Sequence, residues 1–253
     1  MHNKYILKKS FFILSAIFIL NSCSLQKQFN SKRTSVYYVA RQNKPIMIDS
    51  NWNKSEWKVI KSLNISNVLG LKPKFNPITN VKLSYDFKNL YLIYQIKDKF
   101  VKCLKTELNT YVYDDAAVEI FFAPDEKNPL KYFNLEMNCG GTALMWYVTI
   151  PRKEHEALEI DDLKKIEIAH SLPKVIENEI TDSITWTLEC KIPLSVLEKY
   201  GVVTKPKKGV TWRANFYKIA NTTSNPHYIS WSLIENGKID FHQPQYFGKL
   251  IFQ

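Results

Sequence analysis

Two glutamates sit where a strand-forming sequence has little use for charge. Glu119 lies inside the run Ala117 to Ala123 (AVEIFFA), and Glu136 lies inside Tyr132 to Asn138 (YFNLEMN). A carboxylate among apolar neighbours needs a reason, because burying an unpaired charge is expensive. It can accept hydrogen bonds from a ligand, act as an acid or base, or pair with a buried cation. Two carboxylates about 5 Å apart would serve glycoside hydrolysis with retention, and about 6.5–9.5 Å apart with inversion. Asp114, Asp115 and Glu189 add to the available carboxylates. A second polar set, Arg213, Asn215 and Tyr217, recurs with period two, which puts all three on one side of a strand. Arg213 could there meet a ligand hydroxyl or pair with Glu136 or Glu189.

The elements that must position these residues are short strands. Between the two glutamate-bearing runs, Pro124, Asp125, Glu126, Lys127, Asn128 and Pro129 favour reversal. Proline presets φ, and Asp and Asn bond their own backbone. The pair therefore reads as a β-hairpin. Val81 to Tyr85 and Leu90 to Ile96 form a second hairpin around Asp86 to Asn89, and Gly140-Gly141 turns the chain into a strand over residues 142–150. Further strands are expected at Tyr37 to Ala40, Ile46 to Ile48, Ile184 to Ile192, Val210 to Ala220, Tyr228 to Leu233 and Gly248 to Phe252, with an edge strand near Ile166 to Ile168. Pro193 to Gly201 reads as one short helix, and the polar stretch from Asp98 to Thr110 as a loop. The turn Asp49-Ser50-Asn51 is expected to place Asn51 at positive φ, and Trp52 and Trp57 to plug the core. About a dozen short strands in one chain of 253 residues, 45% hydrophobic and rich in Tyr and Phe, predict an all-β fold. The expected architecture is a two-sheet antiparallel β-sandwich, of immunoglobulin or jelly-roll type, with one short helix.

These segments resemble carbohydrate-binding module family 9-like domains, including lipoprotein forms found in Bacteroidetes. The likeness rests on Asp114-Asp115-Ala116-Ala117-Val118-Glu119-Ile120-Phe121 and on Tyr132-Phe133-Asn134-Leu135-Glu136-Met137-Asn138. Matches in the same order are Trp52 and Trp57, Tyr85-Asp86 before Leu90-Tyr91, Trp186 to Glu189 before Ile192-Pro193, Trp212 to Tyr217, and Phe241 to Gly248. The resemblance spans roughly residues 37 to 253. It implies carbohydrate binding in which two aromatic residues clamp a sugar end. Tyr113 and Phe241 occupy those positions, where other members carry tryptophan. The family's strand glutamate is matched by Glu119, and Asn134 and Glu136 stand where its next strand has an arginine and an asparagine; Arg213, Tyr217 and His242 are further candidates for polar contact. Such contacts suit sugars, whose flat apolar faces are edged by hydroxyls. Structural calcium is an option that the family offers, at the acidic Asp114-Asp115 and Asp125-Glu126 clusters.

The first residues point to export. Lys4, Lys8 and Lys9 precede an apolar run from Phe11 to Leu20, followed by Leu20-Asn21-Ser22-Cys23, which has the form of a bacterial lipobox. Residues 1–22 are therefore expected to be a lipoprotein signal peptide, with Cys23 the lipidated residue and 23–36 a flexible tether. The binding domain is then 37–253, held at the bacterial outer membrane on its periplasmic face or at the cell surface. The 35 Lys and Arg against 24 Asp and Glu give +11, and removal of the three leader lysines leaves +8. The lysines are scattered and no nucleic-acid motif accompanies them, so nucleic acid is not an expected partner. Poly- or oligosaccharide, the membrane and glycan-degrading enzymes are. With Cys23 acylated, Cys103, Cys139 and Cys190 remain, which leaves a Cys139–Cys190 bridge and buried free thiols both open. No nucleophile elbow, zinc-protease motif, phosphate loop or pair of haem ligands is present. Binding without cleavage, in support of polysaccharide breakdown, is the expected role. A structural envelope lipoprotein that no longer binds sugar, or a domain with glycoside-hydrolase activity, are the alternatives.

Overall fold

The computed structural model describes residues 35–253. The expected signal peptide, the lipidation site Cys23 and nearly all of the tether lie outside the described residues. In chain order the strands are β1 (Val36–Arg41), β2 (Leu63–Ile65), β3 (Asn67–Val68), β4 (Ile78–Tyr85), β5 (Asn89–Asp98), β6 (Val101–Cys103), β7 (Ala117–Ala123) and β8 (Tyr132–Asn138). They continue as β9 (Ala143–Ile150), β10 (Glu154–Ala157), β11 (Glu167–His170), β12 (Ile176–Ile180), β13 (Ile184–Pro193), β14 (Thr211–Ala220), β15 (His227–Ser230) and β16 (Gly248–Phe252).

Two sheets face each other. One runs β10-β9-β8-β7-β14-β16-β1 and the other β1-β4-β5-β13-β11. The expected antiparallel pairing holds throughout except at β1. Val36 to Val39 pair in parallel with β16, and Ala40 and Arg41 in parallel with β4, so this one strand crosses from sheet to sheet and closes a corner. The charged strand β11 lies at the edge of its sheet, beside β13. Between the sheets, Val118, Ile120 and Phe122 of β7, Phe133, Leu135 and Met137 of β8, and Trp212 and Phe216 of β14 meet Leu83, Leu92, Tyr94, Trp186 and Leu188. All of these are buried, and each contributes about 1.5–3 kcal/mol through removal from water.

Several sequence expectations change in detail. Ile46 to Ile48 form no strand: Ile46 follows a proline, which has no N–H for a ladder, and packs instead against Trp57 and Tyr91 in a small separate core. The polar segment after Asp98 contains β6, which pairs with β12. Among the described residues three single-turn α-helices occur where one helix was expected, α1 (Ser55–Lys58), α2 (Ile160–Leu163) and α3 (Leu194–Leu197). A single turn is too short to leave a 3.6-residue pattern in the sequence. Positive φ falls on Ser50 (56°), not Asn51. The reason is side-chain traffic: the Ser50 amide donates to Glu189 Oε2 (2.8 Å), while the Asn51 amide donates to Asp49 Oδ1 (3.0 Å). Trp57 is fully buried and donates to Glu189 Oε1 (2.7 Å), whereas Trp52 is half-buried with the Lys82 ammonium 4.2 Å from its ring centre. Cys103, Cys139 and Cys190 are buried free thiols.

Candidate functional site

The alternation that fills the core also builds the site. On β7, residues 118, 120 and 122 point between the sheets, so 117, 119, 121 and 123 point outward. The same holds for Tyr132, Asn134 and Glu136 on β8, and for Arg213, Asn215, Tyr217 and Ile219 on β14. Register places Glu119 directly opposite Glu136 on one side and Tyr217 on the other. This outer face is not bare. The segment between β15 and β16 is laid across it, and Ile234, Phe241 and Phe247 pack on Phe121, Tyr132 and Tyr217 as a second small core. Where the cover is incomplete a cavity of about 160 Å³ remains. Tyr113, Glu119, Phe121, Glu136, Arg152, Asn221, Tyr228, Asp240, Phe241 and His242 line it.

The two glutamates dominate its electrostatics. Glu119 is 1% exposed and Glu136 3%. Asn134 Nδ2 donates to Glu136 Oε1 (2.9 Å), but Oε2 of Glu119, Oε2 of Glu136 and Oδ1 of Asn134 have no partner. Burial pushes the Glu136 carboxyl up to about 7. Burial, and then the neighbouring Glu136 carboxylate, push Glu119 well above the usual carboxylate range. Two acids in this arrangement hold at least one proton between them near neutrality. Burial, with Arg152 nearby, takes His242 down to about 4, so its imidazole is neutral; its Nδ1 pairs with the Tyr132 hydroxyl at 2.7 Å. Arg152, in the turn after β9 at φ 62°, is held by Asp240, with its Nε 2.9 Å from Oδ1. On the far wall, Asn221 donates to Asp114 (3.0 Å) and accepts from the Tyr228 hydroxyl. Behind the floor, on the core face of β14, the buried Lys218 ammonium is 3.2 Å from Asp98 Oδ2 and 2.9 Å from His227 Nε2.

Of the residues singled out in the sequence, Tyr113, Glu119, Glu136, Phe241 and His242 share this cavity. Asn134 and Tyr217 stand behind it. Asn134 orients Glu136, and Tyr217 lies under Phe241 with ring centres 4.0 Å apart and planes 13° apart, while its hydroxyl donates to the Phe241 carbonyl (3.1 Å). Arg213 is elsewhere: its guanidinium donates to the carbonyls of Phe247 and Gly248 (3.1 Å to the latter) and reaches neither Glu136 nor Glu189. Glu189 accepts from Trp57, Asp49, Ser50 and Lys54, on the other sheet. Asp115 is likewise occupied, by the amides of Leu104 and Lys105 and by Asn138 Nδ2, and Asp125 by Lys127 N and Asn128 Nδ2. No group of three or more His, Cys, Asp or Glu among the described residues is placed to hold a metal ion.

The sequence reading missed Arg152, Asn221, Tyr228 and Asp240. Asn221 carried a signal, because it extends the series 213, 215, 217, 219 by one more step. Arg152 and Asp240 carried none, since each sits in an irregular segment with no period to read.

Known structures share the fold. A structure from Bacteroides uniformis, described as a candidate carbohydrate-binding protein, superposes with a TM-score of 0.78 at 24% identity, over 87% of this chain and 100% of its own. A carbohydrate binding module family 9 from Caldicellulosiruptor kristjanssonii in complex with cellotriose follows at TM-score 0.60 and 15% identity, over 87% and 94%. Its complex with glucose gives 0.58 and 16%, over 87% and 96%. None of the curated proteins matches significantly. The family model for carbohydrate-binding family 9 matches residues 42–252, nearly the whole of the described sandwich, and the chain belongs to that family.

Proposed function

We propose that this protein binds carbohydrate without cleaving it, as an exported module anchored through Cys23 to the bacterial outer membrane, where it supports the breakdown of polysaccharide by partner enzymes. The observation that carries the reading is the cavity itself: an aromatic wall of Tyr113, Phe121, Tyr228 and Phe241 around a floor of buried, unpartnered carboxylate oxygens. Rings cover the apolar face of a sugar, and the acceptors take its hydroxyl protons. At about 160 Å³ the space is small beside the roughly 300–1,000 Å³ of drug-sized ligand sites, which suits one sugar unit or chain end. Membership of the family supports the class of ligand, and the related modules in complex with glucose and cellotriose make those two the first probes.

Binding fits this floor better than catalysis. A glycosidase sets its acid and its nucleophile or base on either flank of the scissile bond. Glu119 and Glu136 instead project side by side from neighbouring strands of one wall.

Calorimetric titration of the full-length protein in mild detergent with glucose and cellotriose tests the proposal. Dissociation constants in the micromolar to millimolar range, about −8 to −4 kcal/mol, are expected. Tyr113→Ala is expected to weaken them at unchanged melting temperature. Absence of heat with every sugar tried would leave the fold as a structural envelope lipoprotein, and release of reducing sugar from an oligosaccharide would make it a hydrolase.

A further inference from the structure

The acid pair of the cavity floor is more than a sugar of neutral hydroxyls requires. Glu119 and Glu136 are Cα partners across β7 and β8, both almost fully buried, and each presents an Oε2 without a hydrogen-bond partner. Neither makes a salt bridge among the described residues. The cation of the cavity lining, Arg152, is bound to Asp240, and Lys218 lies on the opposite face of β14, bound to Asp98. With His242 neutral and Arg152 paired with Asp240, the charge of the floor is set by how far the acid pair is ionised, in a protein that is basic as a whole. A hydroxyl donates one proton to one oxygen and brings no charge, so the acid pair keeps its own proton. An ammonium carries three donors and a full charge, so it can replace that proton and compensate the ionised pair. The remaining wall suits the same group, because it carries four aromatic rings, Tyr113, Phe121, Tyr228 and Phe241, and an aromatic ring attracts a desolvated cation placed over its face.

We infer that the preferred ligand of this site is an amino sugar with a free ammonium group, held by the carboxyl groups of Glu119 and Glu136. The inference rests on the carbohydrate-binding reading and narrows it. It also predicts discrimination, since N-acetylation removes the charge and a uronic acid brings the wrong one.

The test is a calorimetric comparison of glucosamine, glucose, N-acetylglucosamine and glucuronate on the full-length protein at pH 7, with EDTA present. Glucosamine is expected to bind at least about tenfold tighter than glucose, and glucuronate weakest. Because the ammonium displaces the proton shared by the acids, the glucosamine enthalpy is expected to change with the ionisation enthalpy of the buffer, and the glucose enthalpy much less. Glu136→Gln is expected to remove the preference, bringing the glucosamine and glucose affinities to within about threefold of each other. Glucose binding as tightly as glucosamine, or an equal loss of both in the variant, would overturn the inference and leave the carbohydrate reading standing. Silence with all four sugars would overturn both.

Discussion

Replacing Glu136 by Gln isolates the cost of the buried acid pair. The folded-state carboxyl is raised to about 7, against an ordinary value of 4.5. A group raised in this way holds its proton more tightly folded than unfolded. It stabilises the fold relative to high pH: the contribution is fully present below pH 4.5 and is lost as pH rises through about 7. The difference corresponds to about 3 kcal/mol, since each pH unit is worth about 1.4 kcal/mol. Glu119 is not added to that figure, because the two acids titrate as one coupled pair. Gln has the same shape, and its Oε1 can still accept from Asn134 Nδ2, so the variant lacks the titration and little else. At pH 5 the two proteins are expected to melt within a few degrees of each other. At pH 8 the variant is expected to be more stable by up to about 3 kcal/mol, or about 6–12 °C for a domain of this size. Differential scanning fluorimetry between pH 5 and 8 measures this directly, and subtracting the variant removes the titration of the groups outside the pair. A melting-temperature difference that does not change with pH would refute the assignment of the raised carboxyl to this pair.

Three other substitutions probe the frame around the site. Phe241→Ala removes the ring stacked on Tyr217 and is expected to cost about 3–5 kcal/mol in urea unfolding as well as abolishing sugar binding, whereas Tyr113→Ala touches binding alone. Lys218→Met strands the buried Asp98 carboxylate and is expected to cost about 3–5 kcal/mol; adding Asp98→Asn should recover much of it, which a double-mutant cycle reads. Gly140→Ala would place a Cβ 2.3 Å from the Lys174 carbonyl oxygen, so the backbone must shift, and a loss of about 1–3 kcal/mol is expected in the same unfolding assay.

How far the molecule could be read from its sequence depended on whether a period was present. Glu119 and Glu136 announced themselves as charges within unbroken apolar runs, and the turn between Pro124 and Pro129 fixed the hairpin that sets them opposite each other. Arg213, Asn215 and Tyr217 were correctly placed on one face, yet the period said nothing about what lies above that face. Arg213 meets the last turn before β16 and is committed to its carbonyls, while Tyr217, two residues on, lies beneath Phe241. The carbonyls that hold Arg213 belong to residues more than thirty positions away, and no local pattern encodes such a contact. Arg152 and Asp240 were illegible for the same reason, as was the passage of β1 between the sheets, which depends on pairing with β16 more than two hundred residues away and with β4 more than forty away.

The position of the cavity follows from the same alternation. A strand in a sandwich has one face for the core, and its other face ordinarily meets water. Here β7, β8 and β14 are apolar or buried on both faces, so the outer face must be covered, and the long connection from β15 to β16 is the segment that covers it. A cover made of an irregular segment seals by side chains. Phe247 and Ile234 close it at one end, and Phe241 on its Tyr217 platform forms a wall where the seal stops. The two acids lie beneath that opening, and two carboxylates with unpartnered oxygens would be intolerable under a complete seal. The opening and the acids therefore require each other: without the opening the acids have no donor to meet, and without the acids the face would be more stable closed. A sheet face that could have been a second core is in this way held as a site, at a cost in stability that the Glu136→Gln variant measures.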